Sequence, residues 1–230
     1  MTHIRAPGDR TSHPSPGAFY VVLASASPRR RELMARLGLP YRVESADVDE
    51  TPAPGEPARA LALRLARGKA LAVAADRPGA VVVAADTVVS HGRTVYGKPT
   101  DGADARGMLG ELGGRGHRVT TGVAVARDGR VWSEALVSRV WLRAWDGSTI
   151  EAYVASGDPL DKAGAYAIQN EQFRPVARLQ GCRCNVVGFP IGLVAALLER
   201  AEVKAPVPAA EACPYRRYAP DRCLPAALRS

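Results

Sequence analysis

The chain predicts an α/β protein, a mixed twisted sheet flanked by helices, with two lobes about a central cleft. Three observations predict it. Residues 20–24 are a short apolar run that passes through a tight turn into a helix-starting segment. Residues 80–85 are a second such run, preceded by a long helical pattern. Two long alternating segments, 119–126 and 131–142, meet at Asp128-Gly129. The first two are strand-and-helix units and the third is an antiparallel hairpin, so the sheet is mixed.

Each element has its own warrant. After the strand at 20–24, Ser27 suits an N-cap, Pro28 suits the first helical position, and Leu33, Met34 and Leu37 form an apolar stripe. Residues 57–75 read as a helix from the recurrence of Leu61, Leu65 and Leu71, with Lys69 late in it. The β-branched run 80–85 is too short for a helix and ends as a strand on Asp86-Thr87. Segments 88–90 and 94–96 flank His91-Gly92-Arg93 as a hairpin that leads to Gly97-Lys98-Pro99. Residues 104–112 are helical and stop at Gly113-Gly114. Ser148-Thr149-Ile150-Glu151 reads as a capping box opening a helix that runs to Gly157. Residues 161–169 read as a loop entering a strand, and 190–202 as a terminal amphipathic helix.

With 230 residues, the chain accommodates one well-buried domain. Residues 1–18 form a flexible N-terminal extension, 19–202 the folded unit, and 203–230 a Pro-rich, Cys-containing tail; both ends are expected to be mobile. Apolar residues at 47% and charged residues at 23% exclude a disordered or collagen-like chain. No apolar run is long enough to span a membrane and no signal-peptide core precedes residue 20, so a cytoplasmic protein with no membrane partner is expected. A net charge of +8 raises nucleic acid as a partner, but the basic residues are dispersed and only three phenylalanines are present, so none is expected. The cysteines, Cys182, Cys184, Cys213 and Cys223, lack zinc-ribbon spacing and read as reduced thiols, with a tail-to-core zinc or an oxidised pair as the alternative. His3, His13, His91 and His117 show no metal-ligand spacing.

Three features carry chemistry. Arg29, Arg30 and Arg31 crowd the first turn of a helix whose N-terminus is already positive, which is self-repulsive unless an anion binds there; the plainer alternative is arginine abundance. Asp86 ends an apolar strand, where α/β sheets place catalytic groups, and reads as a general base or metal ligand, or else as a turn cap. Of the 31 basic residues only Lys69, Lys98, Lys162 and Lys204 are lysines, so the lysines that survive the arginine bias mark positions suited to a compact charge on phosphate, with a salt bridge as the alternative. Asp47, Asp49 and Glu50 form an acidic cluster that, with Asp86, suits Mg²⁺ or Mn²⁺, or else is a solvated loop.

The ordered set SASPRRREL, VDET, LARGKA, AADTVV, GKP, TTGVAV, DKAGAYAIQ and VVGFP resembles the Maf family, also called septum-formation-inhibitor-like proteins, over about residues 21–200. The resemblance implies a Maf/ITPase-like fold and a metal-dependent nucleoside triphosphate pyrophosphatase, often dimeric, so a homodimer is admitted. It implies Asp86 as the base that activates water for attack on the α-phosphorus, and Arg29, Lys69 and Lys98 as phosphate contacts supported by Ser25 and Arg30. It further implies Glu50 beside Asp86 as a metal partner, and Asp161 and Lys162 as supporting residues. Arg29, Thr87 and Gln169 match the branch resembling dTTP/UTP pyrophosphatases, whereas Ala167, Asn170-Glu171 and Cys182-Arg183-Cys184 depart from it. A non-enzymatic nucleotide-sensing regulator of division, or a basic nucleic-acid binder, is the alternative function.

Overall fold

A computed structural model describes residues 20–215, 223–225 and 228. The extension at 1–18, with His3 and His13, lies outside the described residues. Strands β1 (Tyr20–Ala24), β2 (Tyr41–Glu44), β3 (Ala80–His91), β4 (Thr94–Tyr96), β5 (Gly116–Arg127), β6 (Arg130–Leu142) and β7 (Val176–Gln180) form one sheet. Its order is β2-β1-β3-β5-β6-β7, with β4 pairing with β3 off this path. The pairs β1/β2 and β1/β3 are parallel, and all others are antiparallel, so the sheet is mixed.

The two parallel connections are made by helices α1 (Pro28–Ala35) and α2 (Ala58–Ala75). Alternation along the strands sorts the core. Val21 and Leu23 of β1 and Val81, Val83 and Ala85 of β3 pack with Leu33 and Met34 of α1 on one face. Val22, Ala24, Val82 and Ala84 pack with Ala66, Ala70 and Val73 of α2 on the other. The first face is completed by α6 (Ile191–Arg200), which contributes Leu193, Val194, Leu197 and Leu198. At the other end of the sheet, α3 (Gly102–Leu112) and α4 (Gly147–Ala155) enclose a second core around Leu109, Leu112 and Tyr153.

The β5–β6 turn is as predicted: Asp128 and Gly129 both take positive φ, 49° and 76°, the backbone of a two-residue turn whose twist matches the strands. Other elements differ. The expected strand 80–85 and the following 88–90 are one continuous strand, because β5 pairs with β3 through Asp86↔Gly122 and Thr87↔Thr121 without interruption. Helix α4 is capped by Asp146, whose side chain accepts from Thr149 N–H, and Ser148 donates to that same carboxylate instead of capping. Segment 161–169 enters no strand: two short 3₁₀ turns, Asp158–Asp161 and Ala163–Ala165, hold it, with Gly164 at φ 73°. β2 and β7 have half-exposed, polar patterns without a hydrophobic signature.

The described part of the tail packs against the core. The short helix α7 (Ala209–Ala212) and Val203, Ala212 and Cys213 lie against the α1/α6 face, and Val207 N–H donates to Leu37 O at 3.2 Å. Cys182 opens the short helix α5 (Arg183–Val187) and is disulfide-bonded to Cys223, where reduced thiols are predicted from the sequence. Their Cα atoms come within 5.0 Å across 41 residues of chain, a proximity that spacing does not reveal.

Gly122 sets the distance between α2 and the sheet. A Cβ there would lie 2.3 Å from Ala62 O, so helix backbone presses directly on strand backbone. Gly122→Ala is expected to destabilise the fold by about 1–3 kcal/mol through overpacking, read as a lowered thermal midpoint; an unchanged midpoint contradicts the close approach.

Candidate active site

The site lies where β1 ends. Pairing of β1 with β3 stops at Leu23↔Val83, and β4 takes up the same edge of β3 only at Val89↔Tyr96. Asp86 therefore sits mid-strand, in the gap at the carboxyl end of the parallel strand β1 rather than at the end of its own strand. A cleft of about 660 Å³ opens there, lined by Ser25, Arg29, Arg30, Glu50, Lys69, Asp86, Thr87, Lys98, Asp161, Lys162 and Gln169. Every site residue that the family resemblance implies lines this one cleft. Asp47 and Asp49 do not; Asp49 turns away to accept from Thr51 N–H at 2.9 Å.

Alternation explains which groups meet. Asp86 shares the α2 face of β3 with Ala84, and Lys69 lies on the packing stripe of α2 with Ala62, Ala66 and Val73. Lys69 Nζ donates to Asp86 Oδ1 at 2.6 Å and lies 2.5 Å from Glu50 Oε1. The Lys69 and Asp86 side chains are only 12% and 11% exposed, so the Asp86 carboxylate relies on Lys69, while Lys69 has both Asp86 and Glu50 as counter-charges; a lone buried charge of either sign costs several kcal/mol. Burial pushes the Glu50 carboxyl up, but the hydrogen bond and charge of Lys69, with Lys98 and Arg30, hold it below the usual glutamate range.

Thr87 points to the opposite face, into a relay that belongs to the fold. Thr121 donates its one hydroxyl proton to Asn185 O at 2.8 Å, so across the 3.0 Å contact Thr87 must be the donor to Thr121. Thr87 in turn accepts from Arg30 Nη2 at 3.3 Å. Arg30 also donates to Ala85 O at 2.6 Å, Gly188 O at 3.0 Å and Ser25 Oγ at 3.4 Å. Burial lowers the Arg30 pKa from the ordinary arginine value, with Asp86 opposing and Arg29 reinforcing that shift. Arg30 thus ties β3, the Ser25 turn and the segment after α5 together. Gly188, at φ 103°, makes room for it: a Cβ there would lie 2.9 Å from Thr87 Oγ1.

The start of α1 is left open. Ser27 occupies the N-cap position but makes no side-chain cap, and its own N–H is taken by Ser25 Oγ at 3.2 Å. Arg29, beside it, reaches Asp161 at 3.5 Å and is the less committed arginine; Arg31 is exposed. Across the cleft Lys162 is held by Asp158 at 3.1 Å and Asp161 at 2.5 Å. Burial raises the Asp161 pKa, but Lys162 and Arg29 bring it below the ordinary aspartate value. Gly164 N–H donates to Gly97 O at 3.0 Å, coupling the loop of Lys98 to that of Lys162. Lys98 itself is exposed and interacts with Glu50 through space.

Gln169 donates from Nε2 to Tyr215 Oη at 3.1 Å. Tyr215, Thr121, Asn185 and Gly188 are structural partners of the site that sequence reasoning missed. Tyr215 carries no sequence signal, whereas Thr121 and Gly188 lie inside the TTGVAV and VVGFP segments already singled out.

Five cationic side chains against three carboxylates leave the cleft positive, with a buried lysine–carboxylate pair at its base and open backbone N–H groups at one end. This arrangement takes up a polyanion and places a carboxylate beside it. Among curated proteins, the chain is 53% identical over 188 residues to a dTTP/UTP pyrophosphatase of Myxococcus xanthus, covering 81% of this chain and 94% of that protein. It is 50% identical to proteins of that description from Thermomicrobium roseum, covering 79% and 84%, and Sphingopyxis alaskensis, covering 77% and 94%. The family model described as Maf-like protein matches residues 20–201, which include every cleft-lining residue named above but not Tyr215, and on that match the chain belongs to the Maf-like protein family.

Proposed function

We propose that the protein is a nucleoside triphosphate pyrophosphatase that hydrolyses dTTP and UTP to the monophosphate and pyrophosphate. The observation that carries this reading is the Asp86–Lys69–Glu50 cluster, a carboxylate kept beside a buried ammonium at the base of a cationic cleft. The relatives described as dTTP/UTP pyrophosphatases support the substrate. No described helix is long and apolar enough to cross a membrane.

In this reading the triphosphate lies between the start of α1 and the Lys98 and Lys162 loops, with Arg29, Lys69 and Lys98 on its phosphate oxygens. Asp86 accepts a proton from water as the water oxygen bonds to the α-phosphorus. The bond from that phosphorus to the α,β-bridging oxygen breaks, and its electron pair leaves on pyrophosphate. Such transfers need positioning and charge neutralisation more than covalent chemistry, which a ring of fixed cations provides.

Glu50 and Asp86 also fit a divalent cation. Both are hard oxygen donors brought together on Lys69 Nζ, and Mg²⁺ or Mn²⁺ is commonly bound by one or two carboxylates with substrate phosphate and water completing the shell. When bound, the ion would neutralise charge on the phosphate oxygens.

In this reading Gln169 reads the base. One amide N–H is taken by Tyr215, leaving a second N–H and the carbonyl oxygen for the O4 and N3–H edge shared by uracil and thymine. Thr87 supports Arg30 rather than the base, its proton being spent on Thr121. Tyr215→Phe is expected to lower the preference for UTP over CTP about fivefold through loss of one neutral hydrogen bond, with kcat for UTP little changed. An unaltered UTP/CTP ratio contradicts that role.

A pyrophosphate-release assay over dTTP, UTP, CTP, 5-methyl-UTP, GTP and 7-methyl-GTP, with Mg²⁺ or Mn²⁺ and with EDTA, tests the function. The expected result is turnover led by dTTP and UTP and abolished by EDTA. No turnover on any of them refutes the reading.

A further inference from the structure

The chain has four cysteines, and all four meet at one place. Cys182 and Cys184 stand at the start of α5, which follows the edge strand β7; Cys213 and Cys223 come from the tail. All are buried. The sulfurs of Cys182, Cys184 and Cys223 lie within 4.8 Å of one another, and Cys184 Sγ is 3.4 Å from Cys213 Sγ. A tetrahedral zinc thiolate, with Zn–S near 2.3 Å, has sulfur–sulfur edges of about 3.8 Å, the scale of this cluster.

We propose that Cys182, Cys184, Cys213 and Cys223 form a tetrathiolate Zn²⁺ site that fastens the C-terminal segment to the core. Four soft sulfur donors with no carboxylate or imidazole among them select zinc over the hard cations suited to the cleft. Asn185 N–H donates to Cys182 Sγ at 3.4 Å, a backbone donor of the kind that supports a metal-bound sulfur. A zinc ion deprotonates the thiols that bind it.

The balance is simple. The Cys182–Cys223 disulfide is first opened by two electrons and two protons from a dithiol reductant, giving four thiols. These bind one Zn²⁺ and release four protons, forming Zn(S–Cys)₄ with a net charge of −2. Side-chain rotation separates the Cys182 and Cys223 sulfurs and draws that of Cys213 into the same sphere.

Such a fastening suits the tail. Its helix α7 has four residues, and several of the described tail side chains on the core, among them Val207, Ala209 and Leu228, are only half-buried. The fastening also reaches the cleft. Arg183, between Cys182 and Cys184, stacks over Tyr215 at 4.9 Å, and Tyr215 holds Gln169. This consequence for base reading rests on the proposed function; the metal site does not.

The test uses the full chain, reduced with a phosphine under anaerobic conditions, loaded with zinc and passed through metal-free buffer. Metal is measured by mass spectrometry, and thiols are counted in denaturant with and without a chelator. The expected result is one zinc per chain and four thiols once the metal is removed. Loading with Co²⁺ instead should give sulfur-to-cobalt charge-transfer bands with the intense visible bands of a tetrahedral ion. Cys184→Ser and Cys223→Ser should each weaken zinc retention at least about tenfold. Negligible zinc after reductive loading, together with an octahedral or absent Co²⁺ spectrum, overturns the proposal and leaves a plain structural disulfide. The cobalt spectrum of the unaltered chain decides this even where a variant fails to fold, and neither readout depends on nucleotide hydrolysis.

Discussion

Asp86→Asn is expected to lower kcat on dTTP and UTP at least about a hundredfold while KM changes little, the signature of a lost general base. Asparagine keeps the shape of the side chain and can still accept from Lys69 through its amide oxygen, which preserves the 2.6 Å contact. What it lacks is the ability to take a proton from water. Lys69 retains Glu50 as a counter-charge, so the fold should survive and the thermal midpoint should stay close to that of the unaltered protein. Steady-state kinetics beside a melting curve separates the outcomes. Activity within a few-fold of the original at an unchanged midpoint moves the base to another residue.

Lys69→Met carries the second large effect, a loss of at least about a hundredfold in kcat/KM, comparable to removing a fixed donor from a developing oxyanion. The ammonium holds Glu50 and Asp86 together at 2.5 and 2.6 Å, and removing it leaves two carboxylates facing incoming phosphate without the fixed positive charge between them. Lys69→Arg should not restore the rate. The ammonium meets the two carboxylates as a compact point charge at 2.5 and 2.6 Å, a contact that a broad planar guanidinium with its fixed fork does not reproduce. Recovery to more than about a fifth of the original kcat/KM in Lys69→Arg contradicts this use of the lysine.

The rarity of lysine was the most informative compositional signal for the site. In a chain where arginine supplies nearly all positive charge, Lys69, Lys98 and Lys162 all reach the cleft. The arginine-rich start of α1 was legible as an anion site, but its division of labour was not. Arg29 and Arg30 are adjacent in sequence, and only tertiary contacts with Ala85 O, Gly188 O and Thr87 make Arg30 a structural tie while leaving Arg29 nearer the substrate space.

Among the elements, the Asp128-Gly129 hairpin and the α1 and α2 helices were legible because local backbone chemistry or a long periodic stripe dictates them. A carboxylate within an apolar run reads as a strand end, so the sequence alone stops β3 at Asp86; nothing local shows that β5 continues alongside and that Lys69 compensates the buried charge. Ser148 looked like a cap because the four-residue pattern fits, yet Asp146 lies two residues earlier with a stronger acceptor and takes the N–H of Thr149. The prolines make the tail read as a mobile extension, and nothing in its spacing shows the cysteines that converge on the core after folding.

The central claim is that water held by Asp86 attacks the α-phosphorus. Hydrolysis of UTP in ¹⁸O-labelled water, with both products analysed by mass spectrometry, tests it most directly. The account predicts one labelled oxygen in UMP and none in pyrophosphate. Label in the pyrophosphate, or release of UDP and inorganic phosphate instead, would contradict it.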